Sequence, residues 1–488
     1  MHTPLPIHRP ALLPLAAALL ALSVNVTAAD PSPGERRSTL EDQRAVAVTV
    51  YNENLALVKE TRRIPLDAGV NRLALRDVSA MMRPETALLR SLSHAGSFSL
   101  LEQNFDFDLL TPAKLLEKSV GRSVRIVRTH PSTGAETIET AEVLSAANGV
   151  VLKIGDRIET GIPGRIVFDQ VPASLRDRPT LVSQLQSRQA GVQDVELSYL
   201  TGGLSWKADY VAELNADDSR LDLNGWVTLN NQSGTTYKDA RLQLVAGDVN
   251  RVRDEMHQRR DMVAVAMAPM AEAKAMTQES LFEYHLYGLQ RPTTLADRQI
   301  KQVALLGAAN VPARKELLLD GSGHYYTASV GEIGRKIKVG VFVDFANRES
   351  AGLGMPLPKG VVRVYKRDSA GNAQFVGEDR IDHTPKNDSV RLKLGEAFDV
   401  TADKKQTDFR SLGRSEGVYR SESAYEVVLH NAKAEPVTVT VREPVPGEWR
   451  MTEQSHPHEK VAAGTAQWKI SVPANGSTTL KYRVAVRM

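Results

Sequence analysis

The stretch YLTGGLSWKADYVAELN, residues 199–215, predicts the fold more directly than any other part of the chain. As a strand from Ser205 to Asn215 it alternates between two faces, because successive side chains of a strand point in opposite directions. The apolar face carries Trp206, Ala208, Tyr210, Ala212 and Leu214. The other face carries Lys207, Asp209 and Glu213. This pattern is typical of a half-buried strand, so we expect Trp206 and Tyr210 to lie in a core, with Gly202 and Gly203 forming the preceding turn.

The next apolar stretch, LDLNGWVTLNN at 221–231, also alternates, but its aromatic residue falls on the polar side. Trp226 shares that side with Asn224 and Thr228. A large aromatic on a polar strand face is either covered by another element or exposed to a ligand. Trp226, Asn224 and Thr228 are therefore the binding candidates that the sequence offers.

Period-two alternation recurs along most of the chain and predicts a mainly β protein of several stacked antiparallel β domains. We expect a small barrel, sandwich modules and a C-terminal Ig-like sandwich, because short strands are separated by turn residues such as Asn148-Gly149. One short helix is predicted at TPAKLLEKSVG, with Thr111 as N-cap, Pro112 in the first helical position and Gly121 as terminator.

Changes in composition divide the chain into eight predicted segments. In order they are a signal peptide (1–29), a flexible leader (30–44), an N-terminal β region with the short helix (45–122), a small β barrel (123–172), the first half of a central β-sandwich (173–250), a mobile Ala/Met-rich insertion (251–280), the second half of that sandwich (281–423) and the C-terminal Ig-like sandwich (424–488).

The N-terminus predicts export. A basic start precedes the apolar run ALLPLAAALLALSVNV, and Thr27 and Ala29 occupy the small-residue positions before a cleavage site. The chain has no cysteine, and its 61 basic residues nearly balance its 58 acidic residues. Disulfides and thiolate chemistry are thereby excluded, and nucleic acid is disfavoured as a partner. We expect a periplasmic protein with no transmembrane segment after signal removal; an extracellular location stays open.

Four ordered motifs carry a family resemblance: SYLTGGLSWKADYVAELN, LNGWVTLNNQSGTTYKDARLQLVAGDVN, LYGLQRPTTLADRQIKQVALL and IDHTPKNDSVRLKLGEAFDVTA. From about Val46 to Val486 the chain resembles bacterial exported proteins that carry the domain of unknown function numbered 4139. The resemblance implies a β-rich envelope protein and brings no catalytic residue. The signature positions in this chain are Tyr199, Gly202, Gly203, Trp206, Tyr210 and Gly234.

Two groups of residues are weak metal candidates. His456 and His458 are two apart, but the intervening Pro457 favours a loop, and no third ligand is identifiable. Met256, Met267 and Met270 lie in the Ala/Met-rich insertion, where thioethers could bind Cu(I). The commoner role of methionine is that of an adaptable apolar side chain, so we expect no metal and no cofactor.

The sequence contains no nucleophile elbow, phosphate loop, dinucleotide loop or zinc-protease motif. The leading hypothesis is therefore a binding or scaffolding protein of the envelope without catalysis, with an envelope protein or polysaccharide as partner. Three alternatives stay open. They are a hydrolase or other enzyme acting on envelope polymers at a domain junction, strand addition with a partner chain, and Cu(I) binding by the insertion.

Overall fold

A computed structural model describes residues 34–162, 164–172, 175–247, 250, 276–415 and 418–488. Over these ranges the protein is mainly β, with one α-helix and several multi-stranded sheets, as the sequence predicts. No helix in these ranges is long and apolar enough to cross a membrane. The predicted signal peptide and nearly all of the Ala/Met-rich insertion lie outside the described residues.

The strands in the first half of the chain have the following bounds: β1 (Glu35–Ser38), β2 (Gln43–Tyr51), β3 (Leu55–Leu66), β4 (Gly69–Arg76), β5 (Leu88–Ser91), β6 (Phe98–Asp106), β7 (Ser123–Thr129), β8 (Glu136–Ser145), β9 (Val151–Ile154), β10 (Arg157–Thr160), β11 (Arg165–Val167), β12 (Thr180–Ser187), β13 (Gly191–Thr201), β14 (Leu204–Leu214), β15 (Arg220–Asn231) and β16 (Tyr237–Ala246).

The strands in the second half are β17 (Thr277–Leu281), β18 (Tyr284–Gly288), β19 (Thr293–Leu295), β20 (Gln299–Asp320), β21 (Glu332–Ala346), β22 (Gly360–Arg367), β23 (Ala373–Ile381), β24 (Ser389–Ser415), β25 (Val418–Asn431), β26 (Val437–Pro444), β27 (Glu448–Gln454), β28 (Glu459–Ala462), β29 (Thr465–Val472) and β30 (Gly476–Arg487).

The α-helix, α1 (Pro112–Glu117), begins where the sequence predicts. The Thr111 hydroxyl accepts a hydrogen bond of 3.1 Å from the Lys114 amide, and Pro112 fills the first helical position, where its missing N–H costs nothing. Short 3₁₀ turns occur at Leu40–Asp42, Pro84–Thr86, Gly323–Tyr326 and Glu349–Ala351.

The chain forms two compact units, and each unit joins segments that are distant in sequence. Among the described residues, one unit contains those up to Ser38, Val70–Arg76 and Leu101–Gln186, and the other contains those of Thr39–Gly69, Asp77–Leu100 and Ser187–Met488.

The first unit is built mainly from two sheets, ordered β1-β4-β12-β6 and β10-β9-β8-β7-β11. The second sheet covers the region predicted to be a small barrel, and that prediction is wrong because the sheet stays open. Its edge strands, β10 and β11, have only four and three residues and lie at opposite ends. The predicted hairpin turn at Asn148-Gly149 does join the antiparallel strands β8 and β9.

Part of the predicted flexible leader is ordered. Residues 35–38 form β1, which pairs in parallel with β4. The Glu35 side chain has no exposed surface, and its carboxylate accepts bidentate hydrogen bonds of 2.8 and 2.9 Å from Arg176. Polar composition predicted a flexible leader over residues 30–44, but within it a buried ion pair and a strand ladder hold residues 35–38 in place.

The second unit contains an eight-stranded sheet and a thirteen-stranded sheet. The first is ordered β17-β18-β16-β2-β3-β13-β5, with β19 beside β16. The second is ordered β23-β22-β14-β15-β20-β21-β24-β25-β30-β27, with β26, β28 and β29 joined through β20. The pairs β14–β22, β2–β16 and β20–β26 are parallel, so the sheets are mixed rather than wholly antiparallel.

The C-terminal strands enclose a core of their own. Buried apolar residues from β20, β21, β24, β25, β26, β29 and β30 pack together there, with Trp468 and Tyr482 among the largest. Strands β25 and β26 of this region hydrogen-bond to β24 and β20, which begin well before the predicted boundary at Ala424. The long strands therefore continue from the central region into the C-terminal core.

Candidate functional site

Five neighbouring strands of the thirteen-stranded sheet, β23, β22, β14, β15 and β20, present a partly exposed polar surface, which we call the open face. It consists of the side chains of Lys207, Asp209, Asn224, Trp226, Thr228, Gln302, Val361, Arg363, Tyr365, Phe375 and Glu378. Their neighbours in sequence point to the opposite side, where Val227, Val362 and Val364 are fully buried. The open face is thus the solvent side of a half-buried sheet.

Trp226 lies near the centre of the open face. It stands opposite Asp209 of β14 and Ala304 of β20, and it is half-buried. Asn224 is half-buried as well, whereas Thr228 is buried. The structure therefore brings the three binding candidates together on one strand face, with only the first two partly accessible to solvent.

A row of hydrogen bonds crosses all five strands beside Trp226. Gln302 donates to the Thr228 hydroxyl (3.2 Å), and that hydroxyl donates to Asp209 Oδ2 (2.9 Å). Arg363 donates to Asp209 Oδ1 (3.2 Å) and reaches the Glu378 carboxylate from its Nε, also at 3.2 Å. Each member restrains the next, so the polar groups around Trp226 are held in fixed positions.

Two charged side chains of this polar row are exposed to solvent. Lys207, whose side chain is 64% exposed, lies 3.6 Å from Asp209. Glu378 is 52% exposed at the other end of the row. The Asp209 carboxylate accepts hydrogen bonds from Thr228 and Arg363 and lies beside the Lys207 ammonium. It therefore holds these neighbouring side chains in place. Lys207 and Glu378 are the charged members of the row with the most solvent-exposed side chains.

A second aromatic group lies on the open face, and sequence reasoning missed it. Tyr365 of β22 and Phe375 of β23 are cross-strand partners whose rings meet edge to face, with centroids 5.7 Å apart. Phe375 is 55% exposed. The alternation of GVVRVYKR does put Arg363 and Tyr365 on one face, but only the parallel pairing of β22 with β14 places that face beside Trp226.

Trp206 and Tyr210 lie on the opposite, buried face of β14, at 4% and 0% exposure. The Trp206 indole donates to the Val245 carbonyl (3.3 Å), and the Tyr210 hydroxyl donates to the Pro358 carbonyl (2.8 Å). Burial, together with the charges of Tyr287 and Asp209, raises the pKa of Tyr210 well above its usual value. Tyr210 is therefore a neutral donor in the core.

The other signature residues surround a crossing of loops. Gly203 has φ +78°, and a Cβ there would lie 2.6 Å from the Ser233 Cα. Gly234 has φ +80°, and a Cβ would lie 2.7 Å from that of Ala80. A Cβ on Gly202 would lie 3.2 Å from the end of the flexible Met81 side chain and in ordinary contact, at 3.5 Å, with Asn54 Oδ1. Tyr199 is buried, and its hydroxyl accepts a hydrogen bond of 3.2 Å from the Ser79 amide.

The metal candidates are placed as follows. His458 Nδ1 lies 2.7 Å from Gln454 Oε1, and His456 Nδ1 lies 2.9 Å from Ser455 Oγ. Within the described ranges, no group of three or more His, Asp or Glu side chains is arranged to hold a metal ion. Met256, Met267 and Met270 lie outside those ranges.

The described residues define a class: a mainly β protein with several multi-stranded sheets, one of which has a partly exposed polar face. Residues 195–488 match the family model described as a domain of unknown function, DUF4139, and the chain belongs to that family. The match covers β14, β15 and all of the open face. It begins later than the resemblance expected from about Val46. The comparison with curated proteins found no match.

Proposed function

We propose that this protein is an exported, non-catalytic binding protein of the bacterial periplasm, and that it binds an envelope polysaccharide on the open face. The observation that carries this proposal is the position of Trp226, a half-buried indole beside a fixed row of polar side chains on an accessible sheet face. The basic start and the apolar run of the leader sequence support export.

The chemistry of the face fits a sugar polymer. An indole offers a flat apolar surface, against which the C–H side of a sugar ring packs. Lys207 and Glu378 at the rim can bind hydroxyl groups, and the half-buried Asn224 carries both a donor and an acceptor. An extended polymer can contact Trp226 and the Tyr365–Phe375 pair on the same face.

A protein partner fits the face less well. Charged residues are depleted at the centre of protein–protein interfaces, because their desolvation is costly. Here Asp209 stands directly opposite Trp226, and the Asp209 carboxylate is ion-paired to Arg363. The centre of the open face is therefore charged where a protein interface is usually apolar.

The proposal is tested by the binding of purified mature protein to isolated envelope polysaccharide, with wild type compared with Trp226→Ala. Trp226→Ala removes one stacking contact between the indole and the sugar, which is worth about 1 kcal/mol or more. We expect this loss to weaken polysaccharide binding about tenfold. Trp449→Ala is the matched control. That residue is another half-buried tryptophan, and its indole donates to the Ala463 carbonyl (2.9 Å) away from the open face.

A photoreactive residue at position 226, with position 449 as control, extends the test to intact cells. Polysaccharide adducts formed only from position 226 support the proposal. Equal binding by wild type and Trp226→Ala would refute it. Specific protein adducts would favour scaffolding of a protein partner, and soluble fragments released from the polymer would favour a hydrolase.

A further inference from the structure

The C-terminal core contains a lysine–glutamate pair that is removed from solvent. Lys404 of β24 and Glu443 of β26 have side chains that are 3% and 0% exposed, and Lys404 Nζ lies 2.6 Å from Glu443 Oε1. In the described strand ladders, β24 pairs with β21 and β25, whereas β26 pairs with β20 and β29. The side-chain contact therefore joins two strands that share no backbone hydrogen bonds.

Aromatic rings and backbone confine the pair. Lys404 Nζ lies 4.2 Å from the centroid of the Tyr325 ring and 5.8 Å from that of Tyr425. The Tyr326 hydroxyl donates to Glu443 Oε2 at 3.1 Å. Glycine at position 321 makes room for the carboxylate, since a Cβ there would lie 2.0 Å from Oε2. The amine and the carboxyl group are thus held in contact with little freedom to separate.

Such an environment favours condensation. Charged groups are costly to bury, and an amide carries no charge, so condensation relieves the cost of burying this ammonium and this carboxylate. The fixed contact between the lysine nitrogen and the carboxyl group replaces a collision between separate molecules. Amide formation then removes both charges from the core permanently.

We propose that Lys404 and Glu443 form an intramolecular amide cross-link. The Nζ–Cδ bond forms and the Cδ–Oε1 bond breaks; Oε1 leaves as water with two of the three ammonium protons. The third proton stays on the amide nitrogen. Oε2 becomes the amide oxygen, which continues to accept the Tyr326 hydrogen bond. No oxidant, reductant or other reactant is needed.

Tyr326 is a positioning residue in this step. Burial, followed by the charges of Tyr482 and Glu443, raises its pKa well above the usual value, so its hydroxyl keeps its proton. It can therefore hold Oε2 in place and polarise the carboxyl carbon toward attack. This inference is independent of polysaccharide binding, because the pair lies in the core rather than on the open face.

The test compares Lys404→Arg with Lys405→Arg by intact mass under denaturing conditions. Both variants have the same composition, so any processing of the leader affects them equally. Lys405 is the matched control because it is 54% exposed and pairs with Glu426 instead. We expect Lys404→Arg to be heavier by one water, since a guanidinium cannot form this amide. Proteolytic mapping of wild type is expected to yield a branched peptide that links Lys404 to Glu443.

Equal masses for the two variants, together with separate unmodified wild-type peptides containing Lys404 and Glu443, would overturn the proposal and leave a non-covalent ion pair. If Lys404→Arg fails to fold, the wild-type peptide map decides the question alone.

Discussion

Asp209 and Arg363 form an ion pair of 3.2 Å between two parallel strands, although 154 residues separate them in sequence. Thr228 donates to the other oxygen of the same carboxylate at 2.9 Å. A single side chain thus connects three strands of the open face. Its removal should affect both the stability of the sheet and the position of the polar groups beside Trp226.

Asp209→Ala is expected to lower the free energy of unfolding by about 1–3 kcal/mol, because Thr228 and Arg363 lose the acceptor that they share. Glu378→Gln, at the exposed end of the same row, should cost about 1 kcal/mol or less, since exposed ion pairs contribute little. Urea unfolding of the two variants measures the difference. Equal losses would show that the Asp209 carboxylate does not hold the row together.

Trp206 and Trp226 should respond differently to solvent and to truncation. Trp206 is 4% exposed, so Trp206→Ala is expected to cost about 3–5 kcal/mol of stability, whereas Trp226→Ala should cost less than half as much. In variants that retain only one of the two indoles on the β14–β15 hairpin, acrylamide should quench Trp226 more strongly than Trp206. Equal protection from acrylamide would remove Trp226 as a binding platform.

The adjacent glycines Gly202 and Gly203 provide a matched pair of alanine substitutions. Gly203→Ala should lower the free energy of unfolding by more than about 2 kcal/mol, because it combines a positive φ with a clash against backbone atoms of Ser233. Gly202→Ala should cost less than about 1 kcal/mol, because the flexible Met81 side chain can move away. Thermal or urea unfolding compares them, and a larger loss for Gly202→Ala would contradict the backbone explanation.

Glu35 should make the first unit sensitive to acid. Burial opposes ionisation of Glu35, but hydrogen bonds and charges from Arg176 and Arg72 outweigh burial and lower its pKa below the usual 4.5. Because the pKa of the folded state is the lower one, this stabilisation is fully present above pH 4.5 and is lost as the pH falls through the folded-state pKa.

Glu35→Gln should therefore cost about 1–3 kcal/mol at neutral pH, and the deficit relative to wild type should shrink well below pH 4.5. Glu142→Gln, on an exposed position of β8 in the same unit, is the control and should have little effect at any pH. Denaturant unfolding at several pH values measures both variants. A deficit that does not change with pH would assign the effect to packing rather than to charge.

Local patterns were sufficient for several features of the fold. Alternation predicted β14 and the burial of its apolar face, and capping chemistry at Thr111 and Pro112 predicted the start of α1. The sequence was misleading at residues 123–172, where regular hairpin spacing suggested a closed barrel. Closure depends on pairing between the first and last strands, and no local pattern reports whether those strands are long enough to meet.

On the open face, too, the sequence predicts the side chains of a single strand but not the neighbouring strand. Alternation placed Trp226, Asn224 and Thr228 on one side of β15, but nothing in one sequence indicates that β22 lies in parallel beside β14. That pairing brings Arg363, Tyr365 and Phe375 to the same surface. The contact between Lys404 and Glu443 was equally invisible, because it joins strands without shared backbone hydrogen bonds.

Near neighbours and short motifs are enough to predict most of the strands, the apolar face of a strand and the family that the chain resembles. Which strands are adjacent, whether a sheet closes and which polar side chains meet become visible only in the folded protein. Those outcomes depend on contacts between distant segments, whose free energy comes from burial and pairing that no local window of sequence contains.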